Sequence, residues 1–456
     1  MSDFDRLCLR AEELFVQGKD EEVERLANQL ICADPLHPRP YHTLGLLYAK
    51  YEKDGAALAC LQKCVDLNPE KSMAWVSLGN VLKRNTHLIA ARQCYEQALK
   101  INPHDYYAIA GYSGSYVNRG NPQKGIELAR RAIALAEKAT DDPEQQDILT
   151  NARNNLALCL LEAGQWQEGW AEYENRTRTS IYHRRDYGAI PRWDGKRVKL
   201  LALHAEQGLG DEILFASCIA DVLRDVDGIV LECAPRLLDL FRRSFSVPCY
   251  GSHEELMAAG HAIDAWDRLA DLARRYRPTP DACPGTPYLV ADPVKVAAMR
   301  QRLEGLAAGP YIGIAWKGGT KATHEELRRA PFEQWHRIVA ETPGLKISLQ
   351  YGKDGAQQAK KLSLPHWQDA IDDLDQFAAL VAACDVVVSI PQTAVHFAGG
   401  LGVRCLALTP AWPSWQFTGG DRMCWYRTVE LVRQPNQADW ATVFSTAINR
   451  IKEISQ

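Results

Sequence analysis

The stretch Pro35-Leu36-His37-Pro38-Arg39-Pro40-Tyr41-His42-Thr43-Leu44-Gly45 decides the fold, because the chain writes it again as Pro69-Glu70-Lys71-Ser72-Met73-Ala74-Trp75-Val76-Ser77-Leu78-Gly79. Pro35, Pro69 and Pro103 are spaced by 34 residues and then 34 again, each after an Asp or Asn. Further along the unit Ala57 corresponds to Ala91, Leu61 to Tyr95 and Cys64 to Ala98. A fixed period of this length marks a stacked-repeat architecture. Gly45 and Gly79 allow two helices to approach closely, and the Leu or aromatic residue fills the gap between them. The proline closes the second helix, since it lacks an amide hydrogen and its ring clashes with the preceding turn. One such pair cannot bury its apolar face alone, so neighbours stack into a superhelix with a concave groove.

Weaker copies flank the clear ones. Residues 4–37 keep Ala11, Leu14, Gly18, Ala27 and Pro35, and residues 106–136 keep Ala108, Tyr116, Gly120 and Ala132. After a polar break from Thr140 to Gln146, residues 150–174 keep Ala157, Leu160, Gly164, Trp166, Gly169 and Tyr173. The result is about five units, with atypical first and last members acting as caps. The pattern resembles the tetratricopeptide repeat, which implies a groove that holds a protein or peptide.

The chain has 456 residues, 46% hydrophobic and 24% charged, the balance of a globular protein with room for two or three domains. A net charge of −4 offers no basic field for nucleic acid or an anionic membrane. The start, MSDFDRLCLRAEELF, lacks a basic region followed by an apolar run, and no apolar stretch approaches the ~20 residues that span a bilayer. These features lead us to expect a cytoplasmic protein with no membrane span and no nucleic-acid partner. The 13 cysteines form no CxxC pair and read as small buried hydrophobes rather than as a zinc site.

From Pro191 onward, short apolar runs alternate with helical segments. Candidate strands are Val198–His204, Gly228–Cys233, Tyr311–Trp316, Leu345–Gln350, Asp385–Ile390, Arg404–Leu408 and Thr428–Val432. Runs of that length between helices predict parallel sheets in α/β layers. The stretch Arg277–Pro287, rich in Pro, divides them into two Rossmann-like halves, with ligands expected at the carboxyl ends of the strands.

Three segments sit at such strand ends. His204-Ala205-Glu206-Gln207-Gly208-Leu209-Gly210-Asp211 follows the first strand and opens a helix, where glycines let the backbone turn tightly and the amides favour negative charge. A purely structural turn uses the same residues. Ile312 to Thr320 runs a strand into glycines with Lys317, which either pairs with a phosphate, supported by Arg328 and Arg329, or is a solvated loop residue. Ser389 to Gly400 ends a strand at Ile390 and starts a helix near Thr393, with His396 in its first turn either as a donor to a diphosphate oxygen or as a structural histidine. The aromatic group Trp412, Trp415, Phe417, Trp425 and Tyr426 reads as packing where C-terminal helices cross back, or as a wall for a base or sugar. His183, Arg184 and Arg185 read as a solvated hinge.

Gly164-Gln165-Trp166, Gly169-Trp170, Tyr173, Pro191-Arg192-Trp193-Asp194-Gly195 and His204 to Asp211 together resemble bacterial proteins that fuse tetratricopeptide repeats to a glycosyltransferase. Trp316-Lys317-Gly318-Gly319, Ser348-Leu349-Gln350-Tyr351, Gln392-Thr393-Ala394-Val395-His396 and Arg433-Gln434 continue the match. The second half is similar to heptosyltransferases of the GT-B fold, which invert the anomeric centre and need no metal and no cofactor, the nucleotide sugar being a co-substrate. The implied architecture is α plus α/β: a repeat solenoid over 1–180, an acceptor lobe over 181–295 and a nucleotide-sugar lobe over 296–456 whose last helix crosses back. The resemblance makes Asp211 the catalytic base and puts Gln207, Gly208 and Gly210 at the acceptor cleft. It puts Lys317, Gly318, Gln392, Thr393, His396 and Gly399 at the donor. Flagellin glycosyltransferases share this plan, so the implied function is transfer of a sugar to a protein held by the repeats. Heptosyltransferases carry an aspartate where this chain reads Ile390-Pro391-Gln392, which leaves the sugar and the nucleotide open and keeps a non-catalytic adaptor as the alternative.

Overall fold

A computed structural model of the chain describes residues 2–139, 145–178, 185–319 and 325–455. Thr140 to Glu144 of the polar break, His183, Arg184 and Thr320 lie outside the described residues, as does the expected domain boundary at 180/181. The chain forms two compact units, Met1–Cys159 and Leu160–Gln456.

The first unit is built of helix pairs: α1 (Asp3–Val16) with α2 (Asp20–Ala33), α3 (Pro38–Lys50) with α4 (Asp54–Leu67), α5 (Ser72–Arg84) with α6 (Leu88–Ile101), and α7 (Tyr106–Gly114) with α8 (Pro122–Ala136). The small residues expected at helix crossings are there. A Cβ on Gly45 would lie 2.6 Å from Leu61 Cγ, and one on Gly79 2.9 Å from Tyr95 Cε1. Ala27, Ala57, Ala91 and Ala132 are fully buried. Each proline follows a residue in extended backbone just past a helix end (Asp34, Asn68 and Asn102), as the ring of a following proline requires. Repeat-spaced side chains make equivalent bonds: Tyr41 Oη donates to Pro35 O (3.1 Å) and Trp75 Nε1 to Pro69 O (2.8 Å).

The turn inside each pair also recurs at 34 residues. Gly18, Glu52, Thr86 and Gly120 all have left-handed backbone, with φ of 72°, 54°, 64° and 75°. Glycine adopts this freely, but a β-branched threonine does so under strain. Helix α9 (Gln145–Glu162) follows, and its last turn, from Leu160, belongs to the second unit with α10 (Trp166–Tyr173). The residues expected to form the end of a fifth repeat are therefore part of the second unit's own packing.

That unit holds two parallel sheets. The first, ordered β3-β2-β1-β4, comprises β1 (Leu201–His204), β2 (Ile229–Glu232), β3 (Cys249–Tyr250) and β4 (Ala265–Arg268). The second, ordered β6-β5-β7-β8-β9, comprises β5 (Tyr311–Ala315), β6 (Leu345–Ser348), β7 (Val386–Ser389), β8 (Cys405–Thr409) and β9 (Val429–Arg433). All seven expected strands are present. β3 and β4 are additions: one has two residues, and the other, Ala-Trp-Asp-Arg, pairs β1 at the sheet edge with Asp267 and Arg268 in ion pairs, so neither makes an apolar run.

Three further expectations are corrected. The helix Pro293–Glu304 spans the expected 295/296 boundary, capped by the Asp292 carboxylate, and Arg300 Nη1 donates to Ala383 O (2.7 Å). The last helix, Trp440–Ile454, does not cross back. Its buried face, including Val443, Phe444, Ala447 and Ile451, belongs to the core of the second sheet with Ile312, Trp335 and Leu406. What meets the first sheet's side is instead the loop after β8: Trp415 packs edge-on against Trp170 (5.2 Å between ring centroids) and at a tilt against Phe215, and Trp425 stacks on Trp166 (5.8 Å). Trp412 stays 41% exposed and outside this cluster's buried rings. All 13 cysteines are free, and all but Cys32, Cys60 and Cys424 are buried.

Candidate functional site

β1 delivers the chain into the turn 205–208 and then into helix α11 (Leu209–Ala216). The turn is held from below by buried charge. Arg176, 1% exposed, donates from Nε to Glu206 Oε1 (3.1 Å) and from Nη1 to Asp271 Oδ1 (2.6 Å). Arg192 donates from Nη2 to Asp271 Oδ2 (2.7 Å), and Arg268 joins the same oxygen. Burial pushes the Asp271 carboxyl up, but Arg176, Arg268 and Arg192 outweigh it and hold it below the usual range. Tyr173 Oη donates to Gln207 Oε1 (2.9 Å), fixing the next residue of the turn.

Gly208 has extended backbone (φ −76°, ψ 161°), and neither it nor Gly210 is left-handed, so the tight-turn reading of these glycines is corrected. Their lack of a side chain gives room. A Cβ on Gly208 would lie 3.7 Å from Asp211 Oδ2, and one on Gly210 would meet His396 Cδ2 at 3.0 Å and Thr393 Oγ1 at 3.7 Å. Gly210 is thus the contact between α11 and the helix Thr393–Leu401 after β7, and it brings the strand ends of the two sheets together.

Asp211 stands in the first turn of α11. Burial pushes its carboxyl up to about 6, and Gln416, whose Nε2 donates to Oδ1 (2.6 Å), pulls in the opposite direction. Gln416 comes from the short turn Trp415–Phe417 after β8.

His396 is 4% exposed, and burial pushes it down to about 3, so it is neutral. Its tautomer follows from a chain of bonds. Tyr288 Oη donates to Ile213 O, which can only accept. Tyr288 Oη therefore accepts from Tyr426 Oη (3.1 Å), and Tyr426 Oη accepts from His396 Nδ1–H (3.3 Å). Nε2 is left as a bare acceptor, with no proton for a diphosphate oxygen. The expected donor role of His396 is corrected to that of an acceptor. Gly399 is corrected too: a Cβ there would lie 2.2 Å from Tyr426 Cγ, so its place is to seat the tyrosine ring.

On the second sheet, Gln350 after β6 clamps the end of β5. Its Oε1 accepts from Trp316 N (2.9 Å) and Lys317 N (2.8 Å), and its Nε2 donates to Lys317 O (2.8 Å). Lys317, Gly318, Gly319, Gln350 and Tyr351 line a cavity of about 150 Å³. A Cβ on Gly318 would lie 2.4 Å from Gln392 Cβ, so the loops after β5 and β7 touch. Gln392 is 6% exposed; its Nε2 donates to Ser389 Oγ (3.3 Å), while its Oε1 takes no hydrogen bond among the described residues. Arg328 Nη1 donates to Pro391 O (3.1 Å) at the same loop.

The strand ends therefore bring Gly210 against Thr393 and His396 and Gly318 against Gln392, so the segment 392–396 touches both the turn that carries Gln207, Gly208 and Asp211 and the loop that carries Lys317. Sequence reasoning missed Gln416, Tyr426's bond to His396, Tyr288 and the Arg176 hub, since none carries a local motif. Arg185, expected as a solvated hinge, instead donates from Nε to Glu232 Oε1 (2.6 Å). Among the described residues no His, Cys, Asp and Glu group of three or more could hold a metal ion, and no helix is long and apolar enough to cross a membrane.

A family model described as a tetratricopeptide repeat matches residues 38–71 and 74–105. Protein FlbA of Caulobacter vibrioides is 29% identical over 467 residues, taking in 96% of this chain and 74% of that protein. The protein O-mannosyl-transferase TMTC1 of Mus musculus is 29% identical over 143 residues, 29% of this chain and 15% of its own length. Among solved structures, MamA gives a TM-score of 0.31 at 19% identity, covering 36% of this chain and 91% of that one. A thermophilic TPR protein of Thermus thermophilus gives 0.32 at 18%, covering 39% and 91%. The 34-residue helix pairs and the matching family model make the first unit a tetratricopeptide-repeat solenoid, a scaffold for binding a protein partner, followed by a parallel-sheet α/β region.

Proposed function

We propose that the α/β unit transfers a sugar from a nucleotide-sugar donor to a hydroxyl of a protein held by the repeats, with inversion and without a metal. The observation that carries this reading is Asp211, a partly buried carboxylate pushed up to about 6 at a strand end, next to Gly210, which meets the helix start at Thr393 and His396. A base tuned toward neutral pH can take a hydroxyl proton as the hydroxyl oxygen attacks the anomeric carbon. As the bond from that carbon to the diphosphate breaks, the free amides at Thr393 and the Lys317 ammonium stabilise the departing charge. His396 Nε2 accepts a hydrogen bond from a sugar or acceptor hydroxyl, and the unpaired Gln392 Oε1 accepts another from the donor.

Two parallel sheets meeting at their strand ends support a GT-B arrangement, with Asp211 on the acceptor lobe and Lys317 on the donor lobe. The activity in the name of TMTC1 supports the pairing of repeats with glycosyl transfer only through a stretch that is 15% of that protein. Flagellin is the acceptor the resemblance implies. The second reading, a non-catalytic adaptor, is favoured by Gln392 in place of the aspartate and by the missing proton on His396.

Intact-mass spectrometry of proteins co-purifying with the chain tests the proposal. Wild type is expected to add a sugar mass to a partner, and Asp211→Asn to abolish the increment while nucleotide binding persists. Transfer surviving in Asp211→Asn would remove Asp211 as the base. Loss of all nucleotide binding in wild type would leave the adaptor.

A further inference from the structure

A second cavity, of about 240 Å³, opens beside the Asp211 turn at the ends of β1 and β2. Its lining includes Arg185, Glu206, Gln207, Glu212, Glu232 and Gly251. Three carboxylates thus face one guanidinium. Glu206 is taken up by Arg176 and by Gln207 Nε2 (3.2 Å), and Glu232 Oε1 by Arg185. Two oxygens are left over. Glu212 is 7% exposed and its Oε2 accepts from Ala234 N (3.0 Å), while Oε1 takes no hydrogen bond among the described residues. Glu232 is 3% exposed and its Oε2 is likewise unbonded, 3.5 Å from His253 Nδ1. His253 Nε2 already donates to Asp186 O (2.8 Å). A buried carboxylate oxygen without a donor is costly, and Glu232 Oε2 is one, so among the described residues the cavity holds fewer donors than acceptors and a donor-rich occupant fits it.

We infer that this cavity binds a cationic side chain of the acceptor protein, a lysine ammonium or arginine guanidinium, and so selects acceptors with a basic residue near the modified hydroxyl. The inference rests on Asp211 as the acceptor base, because Glu212 follows it in the same helical turn. Burial pushes Glu212 up to about 7, so the occupant binds more tightly as pH rises from about 6 to about 8 and Glu212 ionises. The other charged or titratable groups lining the pocket are Glu206, Glu232, Arg185 and Cys233, with Asp211 beside Glu212 in the helix and His253 behind Glu232.

The test is saturation-transfer NMR on the full chain with n-butylammonium as probe and n-butanol as its neutral match. Butylammonium should bind saturably and butanol should not. Glu212→Gln should weaken the amine at least tenfold, and Arg185→Met, which removes the competing cation, should tighten it severalfold. Equal binding of butanol, or amine binding unchanged in both variants, overturns the inference. If Glu212→Gln fails to fold, Arg185→Met decides alone. Asp211→Asn separates the two readings: amine binding should persist while transfer is lost. No amine binding with transfer lost in Asp211→Asn sinks only the pocket, whereas amine binding with transfer retained sinks only the base.

Discussion

The repeat unit and the α/β unit are held together over different sequence distances. In the first, the Trp75–Pro69 bond spans 6 residues and the Tyr95–Asn80 bond 15. In the second, Arg176 reaches Asp271 across 95 residues, Trp170 Nε1 reaches Arg277 O across 107, and Gln416 reaches Asp211 across 205. A period can specify the first kind of contact, because every copy repeats the same local problem. It cannot specify the second, where one residue settles the state of another in a different sheet's loops.

The largest expected effect lies on the long-range side. Arg176→Met leaves Glu206 and Asp271 buried without their main cation, and should cost about 3–5 kcal/mol in urea denaturation followed by tryptophan fluorescence. A cost near zero would mean that the turn does not depend on its distant hub. Next comes Asp211→Asn. The folded carboxyl titrates at about 6 against an ordinary value of 3.8, so ionising it penalises the folded state. The penalty is absent below about pH 4, grows toward about pH 6 and is full above it. Asparagine can still accept from Gln416, so the variant should gain about 2–3 kcal/mol near pH 8 and nothing near pH 4, measured by thermal melts across that range. An equal gain at both pH values would show that the carboxyl is not held up by burial. The smallest effect is local. Thr86→Gly should stabilise the repeats by about 1 kcal/mol by relieving a left-handed β-branched residue, read by far-UV circular dichroism on melting. Destabilisation there would show that the turn tolerates its non-glycine copies without strain.

Legibility follows the same division. Pro35, Pro69 and Pro103 carried the solenoid, and the apolar runs carried seven strands, because burial on both faces leaves an unbroken β-branched signature. β4 escaped because Asp267 and Arg268 serve an ion network. At the site, Asp211, Gly210 and His396 stood out as a glycine turn and a helix start, which the strand ends do bring together. The proton of His396 did not. It is decided by the Tyr426 and Tyr288 hydroxyls and the Ile213 carbonyl, groups from separate segments of the chain. Glu52 and Thr86 hid the recurring left-handed turn, since two glycines in four copies read as coincidence until their backbone is compared.

The Gln416 bond has a mechanical meaning. It joins the helix after β1 to the loop after β8, so it ties one half of the α/β unit to the other. Spreading those halves takes away the amide donor and lets water reach the carboxylate in one movement, and water is the stronger influence because burial dominates the shift. Separation would therefore lower the affinity of this carboxyl for its proton, and rejoining would raise it. Under the proposed transfer, that change alone would ready the side chain for its next acceptor.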